Sequence, residues 1–258
     1  MKLKNNWFFS QEMSMSKRLK FFLGHLLISV LIALAALALV FFVWYPSPLA
    51  TAAGVTYIFL MLLIIDVILG PLLGLLVYKK GKKTLKMDLT VIILIQIAAL
   101  SYGLYSIAQA RPVWIAFNQD RFELVRKNEI KAENIMKAKF QYQKPTWLWP
   151  QYVAVKQTDD LQERQIEQMT AMLNGISLAQ YPERYISLDQ TKIQIQKQSR
   201  NLSQLTQWND DKTVQQYLNL YPKANAWLPL ETYGLAMVIL INREKAEVIK
   251  IVDLRPWN

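Results

Sequence analysis

The chain has 258 residues, a formal net charge of +11 and no cysteine, which excludes a disulfide framework and a thiolate metal site. A nucleic-acid partner would account for the charge, but ten cations against three anions put +7 of it up to residue 107, beside apolar segments. That is the placement expected next to anionic membrane lipid, so no nucleic-acid partner is expected.

In chain order, a short polar segment, 1–20, is followed by three runs long enough to cross a bilayer, which takes about 20 apolar residues. They are Phe21–Trp44, about Ala52–Val77, and Leu89 to about Ile107, and together they define a three-helix membrane region, 21–107. The first run ends near a small-residue Ala50-Thr51-Ala52 stretch. Its apolar core far exceeds the roughly 7–15 residues of a signal-peptide core, so it is expected to be retained as a span. Five cations precede it, and five more, Lys79, Lys80, Lys82, Lys83 and Lys86, crowd the loop 79–87, whereas the "YPSPLATA" loop between the first two spans has no charge. Lysine bias therefore places the N-terminus and the lysine loop in the cytoplasm, and everything after about residue 108 outside it. The five loop lysines read as topogenic and as contacts for anionic lipid. The "GKKT" within them lacks the spacing of a phosphate-binding P-loop.

The second span carries the sharpest functional hint. In "IIDVILGPLLGLL" an aspartate stands in an apolar run, at a cost of about 2.5–3.5 kcal/mol if it faced lipid. Asp66, Gly70 and Gly74 recur every four residues, so they share one helical face. The glycines permit close approach of another helix, and Pro71 frees the Val67 carbonyl and is expected to kink the span. Asp66, Gly70, Pro71 and Gly74 are thus helix-docking candidates. Three readings stay open: a seam within this chain, with Gln96 or Ser101 as a polar partner; a seam for a foreign membrane helix; or an ion or proton relay. His25, the sole histidine, lies in the first span and reads as an interfacial residue.

Residues 108–258 have the size of one domain. Val113–Arg126 reads as a hairpin around Asn118-Gln119-Asp120, and the final "LAMVILINREKAEVIKIVDL" as a second antiparallel hairpin. Between them, helices are expected over Asn128–Ala138, Asp159–Leu173 (apolar Leu161, Ile166, Met169 and Leu173 on one face, Gly175 as the stop), Asp189–Trp208 and Asp210–Leu220, with "PTWLWPQYVAVK" extended. The expected fold class is three transmembrane α-helices followed by an extracytoplasmic α+β domain with antiparallel strands. The segment has no histidine, no cysteine, no phosphate loop and no serine in a nucleophile elbow, so neither catalysis nor a cofactor or metal is expected.

"SKRLKFFLGHLLISVLIALAALALVFFVWYPSPL", "DVILGPLLGLLVYKKGKKTLKMDLTVI" and "RPVWIAFNQDRFELVRKNEI" together resemble, in order and spacing, the type IV pilin accessory proteins of the TfpX/TfpZ kind. The resemblance covers about Ser16 to Ile130. It implies a multi-pass protein of the bacterial inner membrane that assists pilus assembly. The docking face in the spans and the folded outer domain add the expectation that the major pilin is bound or chaperoned through both, with other pilus assembly proteins as further candidate partners. The resemblance brings no catalytic residues. The alternatives are an extracytoplasmic ligand sensor, which the lack of any sizeable cytoplasmic segment after the spans disfavours, and a membrane enzyme that modifies pilin.

The sidedness is directly testable. A periplasm-active reporter fused after Asn258 or within the Tyr45–Thr51 loop should be active, and one fused within Lys79–Lys86 inactive; reversal at either site overturns the assignment.

Overall fold

A computed structural model describes residues 16–257. The first fifteen residues of the N-terminal segment 1–20 lie outside the described residues. Three helices are long and apolar enough to cross a membrane: α1 (Lys17–Ala38, prolonged as a π-helix over Leu39–Trp44), α3 (Val55–Val77) and α4 (Leu85–Ala110). A single short turn, α2 (Leu49–Ala52), lies between the first two. Helix α3 runs on through Pro71, and Gly81, at φ +84°, turns the chain between α3 and α4.

The described residues fall into two compact units. The span unit holds residues 16–35 and Met61–Tyr102; the sheet unit holds Ala36–Leu60 and Gly103–Asn258. The sheet unit therefore takes in more than the segment 108–258: it includes the whole connection between the first two spans.

Seven strands form one sheet: β1 (Pro112–Asn118), β2 (Arg121–Arg126), β3 (Gln151–Val155), β4 (Tyr185–Ile186), β5 (Ala226–Glu231), β6 (Met237–Asn242) and β7 (Glu247–Val252), in the order β4-β3-β1-β2-β5-β6-β7. Both expected hairpins are present, with Gln119 and Ala246 supplying the positive-φ turn residues. The sheet is mixed, however, where antiparallel pairing was expected. The connection after β2 returns to the same end of the sheet, so β3 lies parallel to β1, and β5 likewise lies parallel to β2.

The helices between the hairpins follow the expectation unevenly. Helix α5 (Ala132–Lys137) is short, and α6 (Leu161–Asn174) begins at the Asp160 cap and ends where Gly175 adopts φ +63°. The single helix expected over Asp189–Trp208 is instead a 3₁₀ turn, α7 (Lys192–Gln198) and a second 3₁₀ stretch, Leu202–Gln207. It breaks because Arg200 leaves the helix to pair its backbone with Trp227 of β5. Helix α8 (Asp211–Leu220) is capped by the Asp210 carboxylate, which accepts from the Thr213 N–H at 3.1 Å.

Both sheet faces are covered. On one, Trp114, Ala116, Val125, Val153 and Tyr185 form a cluster with Leu178 and Ala179, and Trp227, Val238 and Leu240 form another with Leu205 and Val214. The opposite face presents Ile115, Phe117, Phe122, Leu124, Leu228, Leu230, Ile239 and Ile251, and into this core α2 inserts Leu49 and Ala52. Strands β3 and β7 would be about 24 Å apart in a flat sheet with strands spaced about 4.8 Å. Here Tyr152 and Val248–Ile251 line one cavity of about 260 Å³ together with Pro46, Ser47 and Leu49. The sheet is thus curled, and the connection between the first two spans fills its mouth.

Hydrogen bonds fix this insertion. The Ala52 carbonyl accepts from the Thr232 hydroxyl and the Leu235 N–H, both at 3.1 Å, and Gly234 lies so close that a Cβ there would overlap the same carbonyl. Tyr45, 1% exposed, donates its hydroxyl to the Ile107 carbonyl at 3.1 Å. Arg111, also 1% exposed, donates to the carbonyls of Ala108 and Thr146 at 2.8 Å each and stacks its guanidinium over Trp147. The Trp149 indole donates to the Phe42 carbonyl at 2.9 Å.

Because Leu49 is a core residue of the sheet, Leu49→Ala should destabilise the purified protein by about 2–5 kcal/mol. The exposed neighbour Thr51→Ala should stay within about 0.5 kcal/mol of wild type. The check is unfolding of the sheet followed by circular dichroism in detergent; equal behaviour of the two variants would show that the loop is not part of the core.

Candidate functional site

Within the span unit, the four docking candidates on α3 face this chain's own helices. Gly70, Pro71 and Gly74 are buried and Asp66 is half-buried. The Gln96 amide, from α4, fills the notch at Gly70, where any Cβ would collide with it, and its Nε2 donates to the Asp66 main-chain carbonyl at 2.9 Å. The polar partner foreseen for the Asp66 carboxylate thus engages the backbone instead. A Cβ at Gly74 would lie 3.1 Å from the Phe21 ring and 3.4 Å from His25 Nδ1, both on α1. His25 therefore packs in the seam, edge-on to Phe21. Within this chain, α4 meets α3 at Gly70 and α1 meets it at Gly74. The five loop lysines are all exposed, and Lys82 pairs with Asp88 at 2.7 Å.

In the sheet unit, a cleft of about 570 Å³ opens over the junction of β2 and β5, lined by Arg121, Glu123, Glu129, Ser177, Glu231 and Tyr233 among others. Glu123 and Glu231 are register partners on neighbouring strands. Burial pushes the Glu123 carboxyl above its ordinary range, against the opposing pull of hydrogen bonds from Ser177 and Asn118. The other charges are matched: Arg121 pairs with Glu231 at 3.0 Å, and Arg126 pairs with Glu129 while lying 3.6 Å over the Tyr233 ring. No group of three metal-ligating side chains converges among the described residues.

Beside this cleft, the inner side of α6 is polar: Glu167 forms an ion pair with Arg184, and Arg164 donates to the Thr158 carbonyl at 2.7 Å. Its apolar residues Leu161, Ile166, Met169 and Leu173 point outward, each about two-thirds exposed or more. The partly buried ion pair accounts for the orientation, because Glu167 and Arg184 meet only with that side of α6 turned in. Leu49 and Ala52, as core residues of the sheet, and Arg111 were not singled out from sequence. The signal that could have found the first two is the uncharged, apolar character of a loop that would otherwise be solvent-exposed.

The seam makes a prediction. Gly74→Leu should overpack the contact with Phe21 and His25, cost about 1–3 kcal/mol and lower the protein's level in the membrane. Leu72→Ala, on the lipid-exposed side of α3, should leave the level unchanged. A wild-type level of Gly74→Leu on quantitative immunoblots of membranes would contradict the internal seam.

Comparison with known proteins follows the same segments. The family model of the fimbrial assembly protein FimB matches residues 13–54, which include the first span and the connection inserted in the sheet. The fimbrial assembly proteins of serogroups I and E1 of Dichelobacter nodosus are each 30% identical to the chain over 214 residues, 80% of this chain and 83% of theirs. That of serogroups C1 and C2 is 35% identical over 116 residues, 44% of this chain and 88% of that relative. No solved structure matches the chain. Similarity at this level over about four-fifths of each chain shows that this chain belongs to the family of these fimbrial assembly proteins, a type IV pilus accessory family.

Proposed function

We propose that this chain acts in fimbrial biogenesis as a non-enzymatic, inner-membrane factor that binds the pilin subunit during assembly. Membership of a fimbrial assembly family supports the process. The observation that carries the binding role is the outward apolar stripe of α6: Ile166, Met169 and Leu173 recur at i, i+3 and i+7 and are 65%, 67% and 81% exposed. A stripe with this spacing normally faces a core or a partner helix. The small-residue face of α3 is filled by α1 and α4, which favours the sheet unit over the spans as the place where pilin is held. In this reading the spans anchor the protein, and α6 presents a ridge to a newly inserted subunit that has yet to join the fibre.

Photo-cross-linking tests the reading. A photoreactive residue at Ile166, Met169 or Leu173 should capture pilin in cells, and one at Leu73 or Leu75 beside the α3 seam should not. The pair Ile166→Glu and Met169→Glu, both at exposed positions, should preserve the protein's level and reduce surface piliation. Normal piliation by abundant variants, or capture from the α3 positions alone, would overturn the assignment. A pilin of identical intact mass with and without this protein is expected for a non-enzymatic role.

A further inference from the structure

At one end of the span unit, the start of α1 and the end of α3 enclose an open recess of about 500 Å³ lined by Ser16, Lys17, Arg18, Tyr78, Lys79 and Lys80. Its volume is within the range of small-molecule sites, about 300–1,000 Å³. Four of its six lining residues are cations, two from the first turn of α1 and two from the loop just after α3. Among the described residues none of the four has a carboxylate partner, whereas nearby Lys82 is committed to Asp88 at 2.7 Å. Arg18 is held in place by its own Nε, which donates to the Leu75 carbonyl in the last turn of α3 at 2.7 Å. That contact caps α3 and leaves the outer edge of the guanidinium for a second acceptor. Ser16 caps α1 through its hydroxyl, which accepts from the Leu19 N–H at 3.2 Å, so the first turn of a 22-residue helix opens on the same recess with its positive end. Tyr78 stacks on Phe21, 5.6 Å between centroids, and gives the recess an apolar side continuous with the span surface.

We infer that this recess is a binding site for the headgroup of an anionic phospholipid, and that it takes a headgroup with two phosphodiesters, of the diphosphatidylglycerol class, in preference to one with a single phosphate. Four uncompensated cations around one opening match two phosphates better than one. The wall formed by Tyr78, backed by the Phe21 ring on which it stacks, suits the glycerol and first acyl carbons of a lipid rather than a free anion. The lipid then ties the start of α1 to the end of α3, the two segments that also meet at Gly74. The inference rests on these residues alone and is independent of the pilin-binding reading.

The test uses the full-length protein, purified in detergent and titrated by native mass spectrometry with diphosphatidylglycerol, phosphatidylglycerol or inorganic pyrophosphate. The recess variant is Arg18→Gln with Lys79→Gln and Lys80→Gln. The control removes the same charge outside the recess: Lys82→Gln with Lys83→Gln and Lys86→Gln. Wild type and control should retain one diphosphatidylglycerol, more tightly than phosphatidylglycerol. The recess variant should bind it at least roughly thirty-fold more weakly, the scale of losing about two charges' attraction to an anionic headgroup. Equal losses in the two variants would reduce the effect to general surface charge and overturn the site. Equal affinity for the one-phosphate lipid would overturn the two-phosphate preference, and equally tight pyrophosphate binding would overturn the lipid assignment.

Discussion

Everything in the sheet unit depends on a short apolar loop being used as core. Leu49 and Ala52 come from the connection between two membrane spans, yet they pack among Ile115, Phe122, Leu228 and Ile251 of the sheet. A loop that left these side chains in water would forfeit the burial energy of two apolar groups and leave a curled sheet with an open mouth. The surrounding polar contacts all serve this insertion. Tyr45 and Arg111 take up carbonyls at and beyond the end of α4, and Thr232 and Leu235 take up the Ala52 carbonyl. The two anchor groups are buried and hydrogen-bonded, the condition under which a buried polar group ceases to be a liability. Burial pushes the Tyr45 hydroxyl far above its ordinary range, so it remains a donor at any pH the protein meets.

The spans and both hairpins were legible because their signals are strong and local: long apolar runs, and apolar strands around a polar turn. Strand β5 was not. "AWLPLE" carries a proline, which argues against a central strand, and its place between β2 and β6 comes from pairings across about a hundred residues with the first hairpin. Its proline lies opposite Val238, and β5 pairs with β2 only at Phe122 and Glu123, so the missing N–H coincides with a short ladder. The mixed character of the sheet has the same origin. Nothing in a strand's own sequence says that its neighbour is parallel; the path of the intervening chain decides it.

The site readings divide along a similar line. The α3 face was visible as Asp66, Gly70 and Gly74 at four-residue spacing, but the identity of the docking helix was not, because small-residue faces carry no address. Gln96 supplies that address only in three dimensions, by filling the space above Gly70. On α6 the periodic apolar positions gave the helix but not which side turns inward. Periodicity reports that a face is apolar; which side turns inward was decided here by an ion pair between Glu167 and Arg184, seventeen residues apart in sequence.

The sheet unit is discontinuous in the chain: Ala36–Leu60 is separated from Gly103–Asn258 by the remaining span residues. Leu49 therefore leaves the ribosome just over two hundred residues ahead of Ile251, its partner in the same core. During synthesis the spans can be inserted and paired while their connecting loop still waits, uncovered, for the last strands. A chain stopped early would carry intact membrane helices with an orphaned apolar turn between them, a feature that membrane proteases and chaperones are equipped to notice. Formation of the β6–β7 hairpin covers that turn, so the two side chains that seal the sheet are buried only when both separated segments of the unit are present.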